Sequence, residues 1–293
     1  MKINSELPLT MLDMNMELNE YDFVLFHLYK QYPKYREYYK RMRHENPGRL
    51  MIFDNSAYEF YVKGETLDLA EYADAIIDLR PDLFILPDVL MDKDKTIDKT
   101  FKFLNQYYFS DIIHSFAFSA HYIPKPLAVA QGNTADELFD CLMLYYNERL
   151  KYVAIPFHNS FYKQCPDNNA MEMFVNNMAD DGGHVWGTDD MRYAAGRVRF
   201  VKQAELLLKK FQYVHLLGSH CPMEKKLYGD YIKTIDTGYP VKCGIAGYEL
   251  EEEPTKPNII IDDFMTTPLT EVQQSLIINN VNKFKAYGTK TRY

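Results

Sequence analysis

The chain has 293 residues, 47% of them hydrophobic, and a formal net charge of -8. That length holds one large α/β barrel or two smaller domains with a sizeable core. The charge argues against a generally basic nucleic-acid coat but leaves room for a local basic patch. Aromatic residues reach 15%, with 24 Tyr; an apolar body with a polar tip suits a groove as well as a core. Cys141, Cys165, Cys221 and Cys243 lie far apart with no C-x-x-C pair. This speaks against a disulfide scaffold and a four-cysteine zinc site, and for thiols in a reducing compartment. No apolar run approaches the roughly 18–20 residues needed to span a membrane, and Met1-Lys2-Ile3-Asn4-Ser5 has no apolar signal core. A cytoplasmic protein without a membrane partner is expected.

In chain order, Ser5 to Leu12 reads as a short first strand and Phe23 to Leu28 as a stronger second. From Tyr29 to Arg43 the cations Lys30, Lys34, Arg36, Lys40, Arg41 and Arg43 alternate with five tyrosines. Cations interleaved with stacking rings suit a nucleic-acid strand; a solvated helix face with tyrosines packed inward is the alternative. The run Leu50 to Phe53 ends abruptly in Asp54, followed by Asn55-Ser56-Ala57-Tyr58. This is a buried strand delivering a carboxylate to its C-terminal end. A helix over Leu67 to Leu79 follows, with Thr66 as N-cap and Pro81 beyond it.

The strand-end design then recurs. Leu83 to Leu86 leads to Asp88, Leu127 to Ala130 leads to Gln131, and Ile232 to Ile235 leads to Asp236. Thr134 to Arg149 reads as a helix, Lys151 to Pro156 as a strand, Arg197 to Phe211 as an amphipathic helix and Tyr213 to Gly218 as a strand. Residues 158–193 are rich in Asn, Asp, Gly and Met, too long and irregular for an ordinary connection, and read as an inserted functional loop. After Asp236 a Gly- and Glu-rich loop runs to Pro257, and a helix over 270–284 closes the chain. About eight strands with helices between most of them predict an α/β fold, a (β/α)8 TIM-type barrel with inserted loops, as one domain over 1–293.

Three carboxylates and an amide past apolar strands suggest one polar site. An ionised carboxylate near an anomeric carbon serves as nucleophile, and a second carboxyl as acid or base. A nucleobase edge asks for fixed acceptors and donors: Asp accepts, Gln does both. Asp88 and Gln131 suit that part, and Tyr58 and Leu217 suit the two faces of the ring. Among single residues, His215 on a strand reads as a satisfied core histidine, His184 and Trp186 as exposed loop, and Glu251-Glu252-Glu253 as a solvated run. His220-Cys221 lacks two further ligands for a metal.

The ordered set of motifs resembles the tRNA-guanine transglycosylase superfamily, closest to the branch that inserts 7-deazaguanines into phage and bacterial DNA. Asp54-Asn55-Ser56-Ala57-Tyr58-Glu59 stands where the family has a D-S-G-G-F-Q type loop, Ala130-Gln131-Gly132 where it has V-Q-G, and Leu216-Leu217-Gly218 where it has L-M-G. The order holds over residues 50–240. The resemblance implies Asp236 as nucleophile and Asp54 as general base. It implies base contacts from Asp88, Gln131, Gly132, Tyr58, Asn55, Leu217 and Gly218. It implies exchange of a flipped-out guanine in DNA for a 7-deazaguanine such as preQ0 through a covalent aspartyl-glycosyl intermediate, with no cofactor. The setting would be the host cytoplasm if a phage carries the gene. Two departures matter. Pro156-Phe157 replaces the Gly-Gly turn whose backbone meets the base, and Pro has no N–H. The C-x-C-x-x-C…H zinc module is absent, so no metal and no zinc subdomain are expected, and tRNA becomes the lesser alternative substrate. A nucleosidase or glycosidase barrel, and a non-catalytic nucleic-acid-binding barrel, are the rival readings.

Overall fold

The structure, a computed structural model, describes residues 1–117, 122–157, 189–250, 261 and 264–287, the side chains of 189–192 and Met223 excepted. Among the described residues eight short runs form strands: β1 (Lys2–Ser5), β2 (Asp22–Leu25), β3 (Met51–Asp54), β4 (Leu83–Ile85), β5 (Lys125–Val129), β6 (Tyr152–Ile155), β7 (Tyr213–Leu216) and β8 (Ile232–Thr237). They form a parallel sheet in the order β1-β8-β7-β6-β5-β4-β3-β2. From β2 to β8 each strand lies beside its sequence neighbour, and the first lies beside the last, which is the strand order of a (β/α)8 TIM-type barrel. The strands are buried along most of their length. Strands covered on both faces read as continuous apolar runs rather than alternating ones, which is why they were visible in the sequence.

The main helices are α1 (Phe26–Gln31), α2 (Pro33–Glu45), α3 (Ala57–Lys63), α4 (Leu69–Leu79), α5 (Lys93–Phe103), α6 (Ala135–Asn147), α7 (Asp189–Gln203), α8 (Tyr239–Ile245) and α9 (Glu271–Tyr287). Among the described residues no helix is long and apolar enough to cross a membrane, and no three His, Cys, Asp or Glu side chains converge as a metal-holding group.

Several boundaries differ from the sequence expectation. The first strand comes earlier, because Lys2–Ser5 pairs with β8 and Pro8, lacking an N–H, leads into a 3-10 turn over Leu9–Met14. The second strand stops at Leu25. Its apolar run continues because Phe26 and Leu28, on α1, are buried too, and a buried strand and a buried helix start look alike in sequence. Asp68, not Thr66, caps α4, its carboxylate accepting from the Ala70 and Glu71 N–H groups. The predicted helix over 197–211 starts at Asp189 and breaks at Ala204 before a short turn, Glu205–Leu208. The stretch expected as loop after Asp236 contains α8, and the end helix runs to Tyr287. His184, Trp186, Glu251-Glu252-Glu253 and residues 158–188 of the expected loop lie outside the described residues.

The chain packs as two compact units. One comprises Met1–Glu20, Asn133–Asp136 and Pro156–Tyr293 and carries β1, β7 and β8; the other comprises Tyr21–Gly132 and Glu137–Ile155 and carries β2 to β6. In the second unit the aromatic excess is largely core. Phe26, Phe53, Tyr72 and Phe103 form a chain of ring contacts with centroids 5.1–6.0 Å apart. The Tyr72 hydroxyl donates to the carbonyls of Phe53 (3.1 Å) and Ile85 (2.8 Å), so α4 clamps the ends of β3 and β4. In the first unit, α8 and α9 bury Val241, Ile245, Ile277 and Val281 together with Leu7, Met11 and Leu18.

Candidate functional site

The second unit brings His27, Asp54, Asn55, Asp88 and Gln131 to the C-terminal ends of β2 to β5. Asp54 is the last residue of β3 and half-buried. Its Oδ2 accepts from the Ser56 N–H at 2.7 Å. Ser56 takes a left-handed backbone, φ 58°, a conformation that costs roughly 1–2 kcal/mol outside glycine. Its hydroxyl accepts from the His27 N–H at 3.2 Å and lies 2.9 Å from His27 Nδ1. The strained turn is thus tied on both sides, to β3's carboxylate and to the start of α1.

Asp88 is buried, and its carboxylate accepts two side-chain amides: Asn55 Nδ2 at 2.8 Å on Oδ1 and Gln131 Nε2 at 2.6 Å on Oδ2. Both amides are oriented by further bonds. Asn55 also donates to Leu86 O (2.7 Å), and its Oδ1 accepts from Ala57 N–H (2.8 Å). Gln131 Oε1 accepts from Met91 N–H (3.1 Å). Burial raises the Asp88 carboxyl above the ordinary value, while the two amides pull it down. The loop that carries Asp88 is anchored to α5. Thr96 Oγ1 accepts from Val89 N–H (2.9 Å) and donates to Val89 O (3.0 Å).

Gly132 is demanded by packing: a Cβ there would stand 2.6 Å from Glu137 Cβ at the start of α6. Tyr58 lies on α3 and is 63% exposed, so its ring is available to a ligand face rather than built into the core.

The first unit holds the other acid. Asp236, near the end of β8, is 4% exposed. Its Oδ1 accepts from the Gly218 N–H at 3.0 Å. His215 Nε2 lies 3.1 Å from the same oxygen, at ion-pair distance but off the line of a well-aligned hydrogen bond. His215 Nδ1 is 2.8 Å from Thr234 Oγ1, and Thr234 Oγ1 is 2.8 Å from the Tyr213 hydroxyl. The alternation of β7 (Tyr213, His215) and β8 (Thr234, Asp236) puts these four side chains on one face of the pair.

The turn that offers Gly218 N–H is held rigidly. Gly218 has φ 64°, which suits glycine. Arg197 on α7 donates through Nη1 to Leu217 O (2.9 Å) and through Nε and Nη2 to Glu224 (2.5 and 2.7 Å). Both side chains are fully buried, and Ser219 Oγ (2.9 Å) and Tyr228 OH also donate to Glu224. The Arg197 guanidinium lies 4.7 Å from the Phe157 ring centroid. Leu217 is half-buried beside this network.

In the basic stretch, α2 buries Tyr35, Tyr38, Tyr39 and Met42. Lys30, Lys40 and Arg43 pair with Glu71, Asp78 and Asp82, while Lys34, Arg36 and Arg41 are exposed. The inward-tyrosine arrangement is therefore present, and three cations remain on the outer face. A cavity of about 420 Å³ lies in the first unit between Ile3, Glu20, Lys225, Tyr228 and Lys285. It sits at the N-terminal ends of β1 and β8, the opposite ends from Asp236.

The sequence reading missed His27, Ser56, Thr234, Arg197 and Glu224, and gave His215 no part in the site. The polar alternation Tyr213-x-His215 and Thr234-x-Asp236 was a usable signal for the face of β7 and β8. Nothing local to Arg197 or Glu224 announced their pairing, which joins α7 to a turn 27 residues away. No protein-family model and no curated protein matches the chain.

Proposed function

We propose that this barrel-fold chain is a base-exchange glycosyltransferase that replaces guanine in DNA with a 7-deazaguanine such as preQ0. The observation that carries the reading is the convergence of Asn55, Asp88 and Gln131, three residues far apart in sequence, into one oriented hydrogen-bonded set at strand ends. Fixed acceptors and donors on buried side chains suit the polar edge of a purine-like base. With a base present, the remaining lone pairs of the Asp88 carboxylate would accept the base's N–H groups beside the two amides.

In this reading the guanine leaves the base stack first, because C1′ and the pairing edge are unreachable within a duplex. Asp236 attacks C1′; the Oδ–C1′ bond forms as the bond from C1′ to the guanine nitrogen breaks, and guanine departs with that electron pair. The incoming 7-deazaguanine loses its ring proton to Asp54, and its nitrogen attacks C1′ as the ester bond breaks. One glycosidic bond is exchanged for another, so no energy-rich co-substrate is needed. The exposed Lys34, Arg36 and Arg41 supply candidate phosphate contacts.

Label exchange tests it. The protein is incubated with duplex DNA, and separately with tRNA, carrying radiolabelled guanine, with and without preQ0. Release from DNA that requires preQ0 and is lost in Asp236→Ala is the expected result. Release only from tRNA moves the substrate to tRNA. Release that ignores preQ0 makes the protein a hydrolase, and no release from either sinks the assignment.

A further inference from the structure

We propose that His215 is a positioning residue for Asp236: held in its Nε2–H form by the Thr234 and Tyr213 hydroxyls, it joins Gly218 N–H in fixing Oδ1, and so assigns Oδ2 as the oxygen that attacks. The inference rests on the reading of Asp236 as nucleophile and adds to it which oxygen reacts and what holds the other.

The proton inventory leads there. Thr234 Oγ1 lies 2.8 Å from both Tyr213 OH and His215 Nδ1, and a hydroxyl has a single proton to give. One consistent order runs Tyr213 O–H to Thr234 Oγ1, Thr234 O–H to His215 Nδ1, and His215 Nε2–H towards Asp236 Oδ1. The reverse order puts the ring proton on Nδ1 and a bare nitrogen lone pair 3.1 Å from a carboxylate oxygen. His215 is fully buried and Asp236 nearly so, so little water is at hand to relieve that repulsion. Of the two neutral tautomers, the Nε2–H order is therefore the one compatible with an ionised Asp236. The departure of Nε2 from a straight hydrogen-bond line suits a contact that tightens when the carboxylate reacts.

The consequence for the reaction is directional. When Oδ2 bonds to C1′, Oδ1 becomes the ester carbonyl oxygen. When the second base attacks, the ester breaks and charge returns to the carboxylate. Two donors fixed on Oδ1 stabilise that returning charge without reorganising. His215 thus acts mainly on the second half-reaction, release of the sugar to the incoming base.

Two measurements test this, one independent of activity. Histidine-selective 15N NMR at a pH where the ring is neutral should show His215, identified by its loss in His215→Gln, protonated on Nε2. In Thr234→Val the tautomer ratio should shift toward Nδ1. A predominantly Nδ1–H ring in the wild type overturns the proposal. In label exchange, His215→Phe should lower kcat about 10- to 100-fold with the KM for preQ0 unchanged, and the covalent DNA–protein adduct should build up on denaturing gels. His215→Gln, which can offer an amide N–H in place of Nε2–H, should recover most of kcat. A stably folded His215→Phe with wild-type kcat and no adduct build-up overturns it. Should the wild type exchange no base at all, the function assigned to Asp236 fails, while the tautomer still decides by itself whether His215 holds Oδ1.

Discussion

Asp88 is caught between two amides that cannot turn round. Asn55 spends both N–H bonds on Leu86 O and Asp88 Oδ1 and has its own oxygen occupied by Ala57 N–H. Gln131 is fixed the same way by Met91 N–H. Both Asp88 oxygens must therefore accept. In Asp88→Asn one amide nitrogen would face another donor, leaving a buried N–H unmatched at a cost of about 1–3 kcal/mol. Chemical denaturation at neutral pH should show that loss relative to wild type, and base exchange should fall with it; an unchanged midpoint would mean the amides do turn. The sequence made Asp88 and Gln131 legible because each follows an apolar strand. It did not make their direct bond legible, since 43 residues separate them and only the neighbouring positions of β4 and β5 bring them together.

At the scale of elements, legibility followed burial. Strands covered on both faces announced themselves as apolar runs, whereas α8 did not. Its residues Tyr239–Ile245 include a Pro and a Gly, both poor helix formers, and packing against α9 overrides that preference. The end of α9 offers a second case. Lys225, in the 3-10 turn Pro222–Leu227, donates to the carbonyls of Phe284 (3.2 Å) and Lys285 (2.9 Å) in the last turn of α9, a favourable place for a cation. Burial nevertheless lowers its pKa from 10.5 to about 8. Between those values the unfolded chain binds a proton that the folded chain does not, so stability rises with pH across that window. Each unit is worth about 1.4 kcal/mol, and solvent screening of the partly exposed ammonium reduces the total to ~1–2 kcal/mol. The difference in unfolding free energy between wild type and Lys225→Met should therefore move in favour of wild type from pH 8 to 10.5. Parallel curves for the two proteins would show that Lys225 titrates normally.

At the scale of the whole molecule, the sheet is organised by its longest-range pairing. β1 joins residue 2 to residue 234 and Asn4 to Asp236, so the first strand lies directly beside the strand that carries the proposed nucleophile. The sequence offered no register for it, because a four-residue strand has too few positions to show a period, and the apolar stretch after Ser5 drew the expectation away. Its contribution is nevertheless large. Ile3 is buried, and its N–H donates to Glu20 at 2.8 Å. Asn19 accepts from Ser5 N–H at 2.6 Å and donates to Ser5 O at 2.9 Å. Deleting residues 2–5 would open the backbone edge of β8, leave the Asn19 and Glu20 side chains without these partners and remove Ile3 from the core. An unpaired strand edge beside exposed apolar surface is a template for association. The deletion should therefore yield aggregated or unfolded protein, read by size-exclusion chromatography and far-ultraviolet circular dichroism. Because these contacts join residues more than 200 positions apart in sequence, wild-type refolding should also be slow, in roughly the millisecond-to-second range or beyond. A monomeric deletion variant with the wild-type melting curve would show that β8 is held in place by β7 alone, and that the first strand is ornament to the sheet rather than part of what aims Asp236.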